Sequence, residues 1–256
     1  MRVYRVLIGT VLGSLLSLSA PRAQHLTLKE VSEALATASP AHVADFAHRD
    51  LSYLDLSGLD FKRADLTGAN LFGTDLSEAN LSDVVAKGAN LDHTVIIRAN
   101  FAGADLSEAS LFAVVAYATL EIANRAAPNF AGANLSGARI VARLGRANLR
   151  GARLAGVHMA DRFPFNDFSG CDLTDADLTG ADLRGAHLAF AHLAGVDLSR
   201  ADLSRADLFH ADLTGADLTD ADFTEADIGE AILTDAHGLE RAKGLERGRL
   251  HGAVNP

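Results

Sequence analysis

A large apolar residue at every fifth position limits this chain more than any other feature. From residue 44 the series runs Phe46, Leu51, Leu56, Phe61, Leu66, Leu71, Leu76, Leu81, Ala86, Leu91, Ile96, Phe101, Leu106, Leu111 and Ala116. A second series starts at Phe163 and Phe168 and continues through Leu173, Leu178, Leu183, Leu188, Leu193, Leu198, Leu203, Leu208, Leu213, Leu218, Phe223 and Ile228 to Leu233. A small residue stands two places before most centres, as at Ala64, Ala79 and Ala104, and the residue just before the centre is usually Asp or Asn. A period of five matches neither a helix nor a strand, so no straight element keeps these side chains on one face. The chain has to turn at every unit.

Making each unit one side of a square coil turns the central residue and the small residue inward and leaves the other three in solvent. Four units give about twenty residues per coil, and coils stack at the ~4.8 Å spacing of hydrogen-bonded strands. The expected fold is therefore all-β, a parallel β-helix with Leu66, Leu71, Leu76, Leu173, Leu178, Leu183, Leu213 and Leu218 in its core. Aromatic residues are only 6% of the chain and Trp is absent, so leucine and alanine have to fill the tube.

The runs Ala64-Asp65-Leu66-Thr67-Gly68-Ala69-Asn70-Leu71 and Ala211-Asp212-Leu213-Thr214-Gly215-Ala216-Asp217-Leu218 resemble the A-(D/N)-L-x-x signature of the pentapeptide-repeat family over residues 44–238. The resemblance implies a right-handed quadrilateral β-helix, and family members are often dimeric. Some of them imitate DNA and bind DNA gyrase, giving quinolone resistance.

Departures from the repeat are expected where binding residues sit on a rigid scaffold. Register is lost over 117–129, and again over 141–148 between Ile140 and Leu149. Between Arg125 and Arg162 the chain carries Arg125, Arg139, Arg143, Arg146, Arg150, Arg153 and Arg162 against Asp161 alone. Arginine's planar fork suits carboxylate, phosphate or sulfate. The candidate partner-binding residues are thus Arg139, Arg143, Arg146, Arg150 and Arg153, gripping a protein or an anionic envelope component, unless neighbouring coils neutralise them.

Residues 167–227 carry fourteen carboxylates against Arg184, Arg200 and Arg205. That density approaches the one charge per ~1.7 Å of duplex DNA, which is the basis of a gyrase-binding alternative. Two features oppose it: the Asp residues recur on every side, where Asx turns account for them, and the N-terminus reads as an export signal. The formal net charge of −10 disfavours nucleic acid as a partner.

No catalytic motif is present, and no enzyme, cofactor or metal is expected. His187 and His192 lack a clustered third ligand. Cys171 takes the small inward position and reads as an inert core thiol. Glycines such as Gly68, Gly180 and Gly215 sit at repeat turns.

At the N-terminus Arg2 and Arg5 precede an uncharged apolar stretch over residues 6–18 and then Ser19, Ala20 and Ala23. That is the layout of a signal peptide over 1–23, which predicts a periplasmic or secreted protein with no membrane span after cleavage. Residues 24–43 carry the capping box Thr27-Leu28-Lys29-Glu30 and predict a short helix with Leu28, Val31 and Leu35 on its apolar face, stopped by Pro40 and covering the first coil. Residues 239–256 form a basic tail expected to close the other end, with a homodimer joined there as a further hypothesis.

Overall fold

A five-residue side has room for one paired residue, an inward residue on either side of it and one tight turn. The computed structural model, describing residues 25–116, 127–158 and 167–245, builds that unit repeatedly. In the unit around Leu66, Ala64 and Leu66 are buried, and Asp65 between them forms parallel bridges to Asp45 and Val85. The Ala69 N–H donates to the Leu66 carbonyl at 2.9 Å, closing a turn whose third residue, Gly68, has φ +61°. Positive φ at that place is the mark of a type II turn.

Asp45, Asp50, Asp55 and Asp60 each bridge the residue twenty positions later, which defines four sides per coil, numbered here from the side of Asp45. Regular strands are scarce among the described residues: β1 (Ser110–Phe112) pairs in parallel with β2 (Arg139–Val141), and the other sides are joined by single-residue bridges. The expected all-β character takes this reduced form because each side turns before a ladder can lengthen.

The core is one continuous apolar column. Leu66, Leu71, Leu76, Leu173, Leu178, Leu183, Leu213 and Leu218 are all within 2% of full burial. Phe101 and Phe130 stack inside it with ring centroids 4.9 Å apart. Thr74, at a small-residue position, is fully buried and donates its hydroxyl to the Leu51 carbonyl, so its polar atom is satisfied.

The bridges also show where the register slips. Val115 on the third side and Asn129 on the fourth are consecutive described bridge positions, fourteen residues apart where a regular side takes five. His158 on the second side and Asp167 on the third are nine apart. The irregular residues 117–126 and the expected unit at Phe163 lie outside the described residues, and the second series joins the described coil at Phe168. The stretch expected to be irregular over 141–148 is mostly regular: only Arg139 to Arg143 is short, by one residue, and Leu144, Leu149 and Leu154 are buried centres. The shortened corner buries both Val141 and Ala142, and β1 and β2 run past the usual turn to span it.

Helix α1 (Leu28–Thr37) starts at a full capping box, the Thr27 side chain accepting from the Glu30 N–H while Glu30 accepts from the Thr27 N–H. Its apolar face differs from the expected one. Val31 is buried and Ala34 and Leu35 pack against the core, but Leu28 is 45% exposed and Leu26, just before the helix, is buried in its place. His25 bridges Asp50, so the chain entering the helix already pairs with the first coil. At the other end pairing runs past the expected boundary at 238: Asp222 bridges Lys243, and Leu245 is buried. Residues 1–24 and 246–256, with the signal peptide and most of the tail, lie outside the described residues.

Two substitutions test this construction. Ala104→Leu forces a second large side chain into a filled layer and should lower stability by about 1–3 kcal/mol in urea unfolding. Gly180 has φ +62° and open space where a Cβ would stand, so Gly180→Ala should cost about 1 kcal/mol through the backbone alone.

Candidate functional site

With the interior filled, the surface is set by which side chain each outward position carries. The residue before each centre is held by its own turn. Asp65 Oδ1 accepts from the Thr67 N–H at 2.8 Å, and Asn70, Asp177, Asp197 and Asp217 accept in the same way from the residue two places on. Asparagines at this position also link the coils: Asn90 donates to Asn70, and on the fourth side Asn148 donates to Asn129 and Asn129 to Asn100. The Thr219 hydroxyl and N–H hold the Asp217 carboxyl below the usual range, and Thr224 does the same for Asp222. For Asp182 the main cause is the hydrogen bond from Arg184.

These carboxylates are spread over all four sides. Asp177, Asp197 and Asp217 lie on the first, Asp182, Asp202 and Asp222 on the second, Asp167, Asp207 and Asp227 on the third, and Asp172 and Asp212 on the fourth. No single side therefore concentrates the acidic charge of this half into a stripe.

The candidate arginines form a ring around one coil. Arg139 is on the second side, Arg143 on the third and Arg153 on the first, all at bridge positions. Arg146 occupies the left-handed turn position after Leu144, with φ 65°, and Arg150 follows Leu149 at the next corner. The structure thus brings Arg146 and Arg150 to the two edges of the fourth side and sends Arg139 and Arg153 elsewhere. The following coil is acidic where this one is basic: Arg143 bridges Asp167, Arg153 bridges Asp177, and Arg150 reaches Asp175 at 3.5 Å. Arg143, Asp167, Ser169 and His187 line a shallow hollow of about 290 Å³.

A second feature had no counterpart in the sequence reading. At the corner between the second and third sides, Tyr53, Phe72, His93 and Phe112 follow one per coil in edge-to-face or tilted contact, with centroids 5.5, 5.1 and 5.6 Å apart. The Arg139 guanidinium lies 4.9 Å over the Phe112 ring. Tyr53 is 73% exposed although its φ is 59°, a conformation that disfavours a bulky residue. The visible signal was a spacing of 19, 21 and 19 residues, alternating between the two turn positions.

His187 and His192 stand on adjacent sides, His187 with its Nδ1 3.8 Å from Asp207. Among the described residues no three His, Cys, Asp or Glu side chains come together in a way that could hold a metal ion. Cys171 is fully buried, donates its thiol to the Leu144 carbonyl, and has its pKa pushed up by burial. No helix among the described residues is long and apolar enough to cross a membrane.

A sequence profile of pentapeptide repeats matches eight copies over residues 44–77, 74–111, 167–205 and 201–237, more than half of the chain. Among solved structures, HetL, a pentapeptide repeat protein involved in heterocyst differentiation regulation in the cyanobacterium Nostoc, is 30% identical, with 91% of this chain and 98% of that one covered and a TM-score of 0.31. A trypsin-treated form of QnrB1, a plasmid-mediated fluoroquinolone resistance protein, is 18% identical, with 78% and 98% covered and a TM-score of 0.47. A pentapeptide repeat protein of the Arabidopsis thaliana thylakoid lumen is 31% identical, with 41% and 64% covered and a TM-score of 0.19. Comparison with curated proteins gives no significant match.

The lowered carboxyl pKa values give acid unfolding a definite sign. A group whose pKa is lower folded than unfolded contributes stability above its unfolded value and loses it as the pH falls through the folded one. Thermal midpoints should therefore drop as pH falls below about 4. Asp217→Asn combined with Asp222→Asn keeps both acceptors but should flatten that drop, and an unchanged slope would contradict the assignment.

Proposed function

The chain belongs to the pentapeptide-repeat family, whose members fold as right-handed β-helices, and from that premise we propose that it is an exported, non-enzymatic binding scaffold working in the periplasm or outside the cell. In this reading residues 1–23 are removed, the coil is a right-handed four-sided solenoid, and helix α1 caps its first end. The partner is a protein or an anionic component of the envelope.

The observation that carries this reading is the filled interior. The core column is within a few per cent of full burial over most of its length, so the groups able to meet a partner stand on the outer surface at spacings fixed by the coil. A rigid surface loses little conformational entropy on binding. The arginine ring concentrates positive charge in one coil of an otherwise acidic chain, which favours an anionic partner by steering and register.

The chain recovered from a periplasmic fraction should begin near Gln24 on N-terminal sequencing. Replacing Arg143, Arg146 and Arg150 by Glu should lower its retention on an anionic envelope extract about fivefold or more. A cytosolic chain that keeps Met1 and inhibits DNA supercoiling would overturn the reading in favour of DNA mimicry.

A further inference from the structure

The corner column supplies chemistry that the arginine ring does not. Tyr53 and His93 occupy the second turn position of their coils, and Phe72 and Phe112 the first, so like positions recur every second coil. Successive rings are turned 67°, 55° and 74° against each other. The outcome is a straight rail in which each ring repeats two coils further along. The sequence opens space for it: a Cβ on Gly73 would stand 2.9 Å from the Tyr53 ring. Polar groups border the rail. On the second side Asn70 and Asn90 are half-exposed and hydrogen-bonded to each other. Asp92 accepts from the Ser110 hydroxyl and from the Phe112 N–H through Oδ1.

We propose that this rail binds a linear, unbranched glycan chain, an inference that rests on the binding-scaffold reading and names the ligand class of one surface. Four observations favour a sugar polymer. Rings follow at one per coil, the ~4.8 Å rise of stacked strands, and an extended hexose polymer advances about one coil spacing per sugar. Alternating ring positions match a polymer in which successive sugars are flipped, so that a disaccharide is the repeat. Exposed ring surface, as on Tyr53, suits the C–H surface of a pyranose, while the bordering carboxylate and amide groups take its hydroxyls. The mixed signs of Asp92 and Arg139 suit a hydroxyl-rich ligand better than a polyanion such as single-stranded nucleic acid.

The test uses the full chain, titrated by calorimetry with a β-1,4-linked N-acetylglucosamine hexamer and with a β-1,4-linked glucose hexamer. Tyr53→Gly removes one ring and places glycine where φ is already positive, so the variant folds without new strain. Phe72→Ser takes the residue that Ser77 and Ser82 supply at the same turn position. Binding to at least one oligosaccharide, weakened about tenfold by either substitution while thermal stability holds, is the expected result. A preference between the two sugars tells whether the N-acetyl group is read. Absence of binding to both, or binding indifferent to both substitutions, overturns the proposal. So does a wild-type dimer that Tyr53→Gly converts to monomer in sedimentation, which would assign the rail to self-association. Partner capture from envelope extract that persists in Tyr53→Gly, with no sugar bound by the wild type, would sink the glycan and leave the scaffold reading standing.

Discussion

Most sides of the coil satisfy their five backbone N–H groups in one recurring way, and the rest of the molecule follows from that pattern. Over residues 65–69 the Asp65 N–H donates to Ala44 in the preceding coil, while Leu66 and Gly68 donate to Val85 and Lys87 in the following one. The Ala69 N–H closes the turn on Leu66. One donor is left, on Thr67, and the Asp65 side chain accepts it. Burying or stranding that donor costs on the order of 1–3 kcal/mol, so Asp or Asn before the centre completes the turn at most units, although Val85, Val95, Arg143 and His187 hold the same position. The acidity of the second half is to that extent a by-product of how the backbone is completed.

Charge then sorts by coil rather than by side. Where the paired position is charged, stacking places it against the same position one coil away, and like charges there repel. Asparagine relieves this on the fourth side by linking coil to coil. Near the middle, arginines stand against the aspartates of the next coil, as at Arg143 with Asp167 and Arg153 with Asp177. The ring therefore has a structural use in addition to any partner. A flat partner meets only one or two sides at a time, which singles out pairs such as Arg146 and Arg150 about the fourth side.

The inward positions were legible in the sequence because a five-residue period admits a single geometry, and Leu66 through Leu218 follow it. Three things were not. Leu144 is not legible as a centre because the nine residues from Ile140 to Leu149 show a deficit without showing which side is short; the bridges place it between Arg139 and Arg143. The left-handed turn position was read through its glycines, yet Tyr53, Phe190, Arg200 and Glu225 take the same conformation, held there by the hydrogen bonds on either side of the turn. The aromatic rail escaped because its rings alternate between two turn positions, so no fixed interval connects them.

Those non-glycine turns separate folding from use. Left-handed backbone costs an L-residue about 1–2 kcal/mol relative to its preferred regions, and glycine avoids the cost at Gly68, Gly73 and Gly180. Where a large side chain is nevertheless present and exposed, as with Tyr53 at 73% and Phe190 at 57%, burial offsets little of the strain. Phe190 also belongs to a surface cluster, its ring stacked 5.2 Å from His210 and edge-on to Phe209. Two exposed aromatic groups at strained turns, on different corners of the same tube, are hard to derive from the needs of the fold, because glycine at either position would serve the backbone better. Strain of this kind persists where the surrounding structure over-determines it, and nineteen described non-glycine residues share the conformation, so what sets Tyr53 and Phe190 apart is the aromatic surface they leave in solvent.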